Sequence, residues 1–320
     1  MKYLVVGGAG YIGSHMVKHL MAAGHDVVVA DTVATGPNIE WVELDIADAQ
    51  GLDALFADYT FDAVFHFASF IQVGESVSDP AKYYQNNVAA TLTLLEAMVR
   101  AGIECLIFSS SAAVYGDPQY VPIDEQHPKA PINPYGRSKW MVEQMLQDFD
   151  RAYGLRSVSL RYFNAAGADP EGALGECHEP ETHLIPLILQ AASGRREAIT
   201  VFGHDYDTPD GTCVRDYVHV ADLASAHALA VDYLLAGGVS TAFNLGNGLG
   251  FSVQEVIDTA RVVTGRPIDV VDAPRREGDP ARLVADAERA KAVLGWRPRH
   301  ASLEQIVLHA WQWERQYPWQ

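Results

Sequence analysis

Short apolar runs alternate with longer amphipathic stretches through the first half of this chain. Tyr3-Leu4-Val5-Val6 ends at glycines, and a helical segment follows from about Tyr11 to Ala23, closed by Gly24. Asp26-Val27-Val28-Val29-Ala30 reads as the next strand and ends in Asp31. Further strands are expected at Trp41–Leu44, Ala63–His66, Cys105–Phe108 and Ser157–Leu160. Helices are expected near Gly51–Tyr59, Ala81–Ala101 and Pro134–Ala152. Continuous apolar strands separated by helices predict a parallel sheet covered on both faces.

The alternation breaks down after about Asn164. Asp169 to Glu181 is rich in Gly, Pro and Glu, and Gly203 to Gly211 is polar and Asp-rich, as in loops over a site. Phe243-Asn244-Leu245-Gly246 reads as one more buried strand, and Ser252-Val253-Gln254-Glu255 as the capped start of another helix. The fold class expected is α/β: a doubly wound parallel sheet with a second, smaller α/β substrate lobe built mostly from residues beyond Asn164. There is no internal repeat and no low-complexity tract.

Composition narrows the function. The chain has 320 residues, 48% hydrophobic and 20% charged, which is ordinary for a globular protein with a large core. A formal net charge of -18 argues against nucleic acid as a partner, because there is no basic footprint to displace counterions from phosphates. An anionic ligand must instead be met by a few placed arginines or by backbone N–H groups. Three cysteines, Cys105, Cys177 and Cys213, are too few and too scattered for a disulfide framework or a metal cluster, and no metal is expected. The N-terminus carries no signal-peptide pattern and no apolar stretch approaches membrane-spanning length, so a cytoplasmic location without membrane partners is expected.

Gly7-Gly8-Ala9-Gly10-Tyr11-Ile12-Gly13 falls between the first strand and the first helix. Its Gly-x-x-Gly-x-x-Gly spacing is one residue longer than the common dinucleotide fingerprint, but the physical requirement is the same. Glycines allow a tight turn, admit a pyrophosphate close to the backbone, and aim helix N–H groups at it. Alone, the motif could be an ordinary glycine-rich turn. Asp31, closing the second strand, adds an acid placed to bond ribose hydroxyls and repel a 2′-phosphate, which favours NAD on a Rossmann sheet. Asp45-Ile46 could hold the adenine edge, and Phe67-Ala68 sits where chain passes beneath a nucleotide; each pair alone is a weak signal.

Tyr135 and Lys139 stand four residues apart at the start of a helix and therefore share a face. A free tyrosine, with a pKa near ~10, is a poor base at neutral pH. A nearby ammonium or an oxidised nicotinamide lowers that pKa, which makes Tyr135 a general acid/base beside a hydride-transfer centre. The alternative, a half-buried tyrosine beside a solvated lysine, is the usual reading of this spacing when no glycine loop accompanies it. Ser109-Ser110-Ser111 follows the strand Cys105–Phe108, where α/β sheets bind ligands; Ser111 could orient a substrate hydroxyl, or the serines could simply form a turn.

Together these elements resemble the extended short-chain dehydrogenase/reductase family, on its nucleotide-sugar 4-epimerase branch. The similarity runs through Gly7–Gly13 with Ser14-His15, His66-Phe67-Ala68, Val73–Val77, Tyr83–Val88 and Phe108–Asp117. It continues through Tyr135–Lys139, Arg161-Tyr162-Phe163-Asn164, Arg215–Val220 and Arg275-Arg276-Glu277-Gly278-Asp279, nearly the whole chain in order. The resemblance implies NAD bound by Gly7, Gly10, Tyr11, Ile12, Gly13, Asp31, Asp45, Ile46, Phe67, Ala68, Asn86, Ser109, Tyr135, Lys139 and Phe163. It implies catalysis by Tyr135, Ser111 and Lys139, and a UDP-sugar held by Ser111, Tyr135, Asn164, His183, Leu184, Phe202, Arg215, Arg276, Asp279 and Leu283. Arg215 and Arg276 suit a diphosphate in an acidic protein. The implied chemistry is oxidation and re-reduction at sugar C4, interconverting UDP-galactose and UDP-glucose, with NAD retained. Residues 1–173 plus about 222–247 would form the NAD-binding Rossmann domain, and 174–221 plus 248–320 the nucleotide-sugar lobe. A homodimer is implied as well.

Some positions depart from that pattern. Ile71 stands where several such enzymes have a lysine, and His183 where some have an asparagine before the leucine. The loop Thr32–Glu40 is short. Leu283 falls on the variable wall of the sugar pocket, so N-acetylated sugars, pentoses and uronic acids remain alternatives. A 4,6-dehydratase would need an Asp-Glu pair where Ala112-Ala113 stand. A non-catalytic dinucleotide sensor is the reading from another class, and it has no need of Tyr135, Lys139 and Ser111 together.

Overall fold

The computed structural model describes residues 1–34, 36, 38–276 and 279–317. Thr35 and Pro37 of the short loop, Glu277 and Gly278 of the arginine motif, and the last three residues of the sugar-lobe boundary lie outside the described residues.

Seven parallel strands form the central sheet: β1 (Lys2–Val6), β2 (Asp26–Asp31), β3 (Glu40–Glu43), β4 (Ala63–His66), β5 (Cys105–Ser111), β6 (Arg156–Tyr162) and β7 (Thr241–Leu245). Their spatial order is β3-β2-β1-β4-β5-β6-β7. The chain winds outward from β1 to β3, then returns across β1 to continue at β4. That reversal opens a crevice beyond the carboxyl ends of β1 and β4, where such sheets bind ligands.

Alternation along the strands feeds two cores. Tyr3, Val5, Val27, Val29 and Phe65 pack against Met16, Val17 and Leu20 of α1 (Tyr11–Ala22) and against Leu223, Val231 and Leu234 further along the chain. Leu4, Val6, Val28 and Val64 face the other way, onto α2 (Ala49–Asp58), α3 (Ala90–Ala101) and α4 (Pro134–Tyr153). Burial on both faces explains why these strands read as unbroken apolar runs.

Two elements differ from the sequence expectation. The helix expected over Ala81–Ala101 is interrupted by a π-helical turn, Tyr84–Ala89, before α3 begins. The wider turn carries Asn87 inward, where its amide accepts from Phe70 N (2.9 Å) and donates to Phe70 O (3.0 Å) and Ser138 Oγ (3.2 Å). Ser109, Ser110 and Ser111 do not form a turn but are the last residues of β5, paired with Leu160, Arg161 and Tyr162 of β6. Strand geometry persists because the first two hydroxyls find buried partners: Ser109 meets the Tyr162 hydroxyl and Ser110 bonds Glu143 at 2.5 Å.

Beyond the sheet, α5 (Leu184–Ser193), α7 (Val253–Thr264) and α8 (Leu303–Gln316) enclose a third core with the parallel strand pair Ile199–Phe202 and Val270–Ala273. Helix α6 (Val220–Leu235) and β7 return the chain to the main sheet. Ser252 opens α7 with the expected reciprocal cap, its hydroxyl accepting from Glu255 N while the Glu255 carboxylate accepts from Ser252 N.

Candidate active site

A cavity of about 450 Å³ lies over the carboxyl ends of the strands, between the sheet and the third core. Its floor begins at the glycine loop. Gly7, at φ +80, leaves no room for a side chain, because a Cβ there would come within 2.4 Å of Ala68 N. A Cβ on Gly13 would come within 2.1 Å of Gly7 O. These are the close approaches that force glycine. Helix α1 starts at Gly10 with no side-chain cap and no acid in its first turn, so its N–H groups and partial positive charge are available to an anion. Asp31 accepts from Ala9 N at 2.9 Å and from Val33 N at 3.1 Å, which fastens the end of β2 to the glycine loop. A loop that excludes side chains, an uncapped helix start and an acid at the second strand fit an NAD pyrophosphate and ribose.

Asn133 caps α4 by accepting from Gly136 N at 2.8 Å, and Pro134 occupies the first turn, so Tyr135 and Lys139 leave the same face toward the cavity. Tyr135 and Ser111 line the same cavity, and the Ser111 hydroxyl accepts from Ala113 N at 3.1 Å. Lys139 is buried, donates from Nζ to Ser109 O at 2.8 Å, and lies 5.8 Å from the Tyr135 ring centre. Burial pushes the Tyr135 phenol above its usual range, partly opposed by the Ser111 hydroxyl. Burial also brings Lys139 down to about 7, against the pull of Glu143. The depressed phenol expected from the sequence is therefore not produced by the lysine alone; desolvation outweighs it. A further positive charge beside the ring is needed.

Behind this pair lies a buried ionic chain that the sequence did not reveal. Glu143 of α4 accepts from Ser110 and pairs with Arg161 of β6 at 2.9 and 2.5 Å. Arg161 also donates to the Tyr115 hydroxyl at 3.0 Å, and Tyr115 donates to Asn244 of β7 at 2.5 Å. The chain ties α4 to β5, β6 and β7, so the helix carrying the phenol cannot slide independently of the strand carrying Ser111.

The far wall comes from residues that follow β6 in the chain. Asn164, His183, Leu184, Arg215, Asp279 and Leu283 all line the cavity. Arg215 donates to Asp279 at 2.9 Å and to Pro280 O at 2.9 Å, so two residues expected to hold substrate are paired with each other. Leu283 packs against the buried cluster of Val114, Tyr115 and Ile123, as does Phe163. Ala112 and Ala113 form the adjoining wall, with no carboxylate at that position. Ile71 lines the cavity too.

Most expected cofactor residues meet there: Gly7, Gly10, Tyr11, Ile12, Gly13, Phe67, Ser109, Tyr135, Lys139 and Phe163. Asp31, Asp45, Ile46, Ala68 and Asn86 are not among the lining residues. Ile46 is buried in the core under β1 and β2. Asn86 donates to Asn87 at 2.9 Å, and Asp45 accepts from Ala47 N at 2.9 Å. Phe202 and Arg276 also sit outside the cavity lining, the guanidinium stacked 3.9 Å from the ring centre. Tyr162, which lines the cavity and bonds Ser109, was missed; its place in Arg161-Tyr162-Phe163-Asn164 was the available signal.

The fold and this site define a nucleotide-dependent oxidoreductase-type scaffold, and the chain belongs to the NAD dependent epimerase/dehydratase family, whose model matches residues 3–246. Its similarity to individual proteins is closer than that class. The UDP-glucose 4-epimerase of Rhizobium meliloti is 56% identical over 315 residues, covering 97% of this chain and 96% of that protein. The UDP-glucose 4-epimerase of Brucella ovis, solved in complex with NAD, is 49% identical with a TM-score of 0.94 and 97% of each chain covered. The enzyme from Bifidobacterium longum, solved with NAD+ and UDP, is 38% identical with a TM-score of 0.93 and 99% of each chain covered.

Proposed function

We propose that this chain is an NAD-dependent isomerase interconverting UDP-galactose and UDP-glucose, the UDP-glucose 4-epimerase reaction. The observation that carries the reading is the convergence of Tyr135, Ser111 and buried Lys139 in a cavity that also opens on the glycine loop. Gly7, Gly10 and Gly13 with the start of α1 would hold the NAD pyrophosphate, and Asp31 the ribose. When bound, NAD supplies a reversible hydride acceptor for the sugar C4 and positive charge near the phenol. Tyr135 takes the C4 hydroxyl proton and later returns it, and Ser111, lining the same cavity, orients that hydroxyl. Lys139, pinned on Ser109 O, contributes its charge to the phenolate from the ring side.

Arg215, on the cavity wall, would meet the diphosphate, and Arg276, stacked on Phe202 outside the lining, would have to turn inward to join it. Arg215 would exchange or share its Asp279 partner as the nucleotide enters. The alanines at 112 and 113 support epimerisation over dehydration, because elimination of water needs an acid/base pair at that turn. Residues 1–173 with about 222–247 would serve NAD, and 174–221 with 248–320 the nucleotide sugar; most of the third core belongs to the second set, while Ala287, Ala290, Leu294 and Trp296 pack into the core of the sheet. Among the described residues no helix is long and apolar enough to cross a membrane. A reducing cytoplasm suits three free cysteines, and light scattering would test the homodimer that the family resemblance implies.

The deciding experiment offers purified protein UDP-galactose, UDP-N-acetylgalactosamine and UDP-xylose, without added NAD, and follows each C4 epimer. Sustained turnover of UDP-galactose is expected. Turnover of only another sugar would reassign the substrate, and turnover of none would return the chain to a dinucleotide-binding role.

A further inference from the structure

The loop leading into α5 carries four metal-type ligands in eight residues: Glu176, His178, Glu181 and His183. One donor atom from each lies within 4.8 Å of all the others. Both histidines present Nδ1 to the same Glu176 oxygen, His178 at 2.9 Å, and both rings lie 4.0 Å from Glu181. The carboxylates are only 5% and 6% exposed, and the cation-forming partners they face are the two imidazoles. Two desolvated anions converging with two imidazole nitrogens are expensive to keep together without a cation at their centre.

We propose that this cluster binds one zinc-class divalent ion. Two imidazole nitrogens and two carboxylate oxygens make a borderline donor set that suits Zn²⁺, whereas Mg²⁺ and Ca²⁺ favour oxygen ligands alone. Tetrahedral donors around Zn²⁺ stand about 3.3–3.6 Å apart, given bond lengths of about 2.0–2.2 Å. The donor separations run from the close His183–Glu176 contact up to 4.8 Å, on either side of that spacing, so side-chain shifts of about an ångström would close the shell. All four positions are taken by protein, which makes the ion structural and leaves no open site for catalysis.

Its place gives it a role. Trp313 Nε1 donates to Glu176 O at 2.9 Å, and the Tyr11 ring meets His178 edge-on at 6.3 Å between centres. His183 is followed by Leu184, the first residue of α5 and part of the cavity wall. The ion would therefore clamp one loop between the glycine-loop helix and the sugar-side helix. This inference does not depend on the reaction assigned above.

The test uses untagged full-length protein, stripped with EDTA and titrated with Zn²⁺ against a chromophoric chelator, with Mg²⁺ as comparison. One Zn²⁺ per chain and a raised Tm are expected, with no effect of Mg²⁺. H178Q and E181Q, the latter keeping an acceptor for Thr182 N and His183 N, should weaken binding by more than about 100-fold. C177S should bind like wild type. X-ray absorption of the loaded wild type should show nitrogen and oxygen ligands without sulfur, whatever the variants do. No saturable Zn²⁺ binding, sulfur in the shell, or loss of binding in C177S would overturn the proposal.

Discussion

Tyr135 and Lys139 sit in opposition to the charge states they need: burial raises the phenol and lowers the ammonium to about 7. The site therefore holds a neutral phenol until a cation enters beside it, which couples the base to an occupied cofactor pocket. Tyr135→Phe should bind NAD and UDP-sugar as wild type does, yet lose about 10²- to 10⁴-fold in kcat; steady-state kinetics with an NAD-content assay separate the two effects. Gly13→Ala places a Cβ 2.1 Å from Gly7 O, and the protein should purify with little or no NAD, read from its absorbance and by extraction. Both residues were legible in the sequence, because their chemistry depends on local spacing within one loop or one helical turn. Tyr162, Asn87 and Glu143 were not, since each acquires its role from a partner on another element, across 53, 51 and 33 residues respectively. The side-chain cluster of Glu176, His178, Glu181 and His183 went unremarked for another reason. Its Glu-x-His-x-x-Glu-x-His spacing holds no cysteine, and cysteine pattern was the metal signal weighed in the sequence.

At the scale of elements, β5 and α4 act as one body. Strand β5 runs on through the three serines because Ser110 and Ser109 find buried partners, and α4 answers with Glu143 one turn beyond Lys139. Glu143→Gln would leave Arg161 buried, 4% exposed, without its counter-charge. We expect a loss of about 3–5 kcal/mol in urea unfolding, in line with the removal of one partner from a buried pair. The strands and helices of the first half were readable because alternation and burial repeat there with a regular period. The π-helical turn at Tyr84–Ala89 was not, because the apolar period continues through it and only the tertiary bonds of Asn87 reveal the extra residue in the turn.

Across the whole molecule, buried histidines set the acid limit. Burial lowers His66 to about 3, His219 to about 3 and His227 to about 4, so all three are neutral in the native protein near neutral pH. Between the unfolded value near 6.5 and those native values, the unfolded chain binds more protons. Stability is then fully present above pH 6.5 and is lost as pH falls toward 4, by at most about 1.4 kcal/mol per pH unit for each histidine. Chemical denaturation at a series of pH values checks this, and His227→Gln should show a shallower slope in that window. A parallel sheet and a second lobe beyond Asn164 were expected, but the strand pairing inside that lobe was not. Its parallel pair joins Ile199 to Val270 through 71 residues of separation, and no local period announces such a contact.

The central claim is that the hydrogen at C4 leaves the sugar and returns to the same carbon while Tyr135 moves only the hydroxyl proton. The most direct measurement follows UDP-galactose deuterated at C4 to product by mass spectrometry and NMR, in ordinary water without added NAD. The account predicts UDP-glucose that keeps its deuterium at C4. Product that has exchanged its C4 deuterium for solvent hydrogen would contradict it.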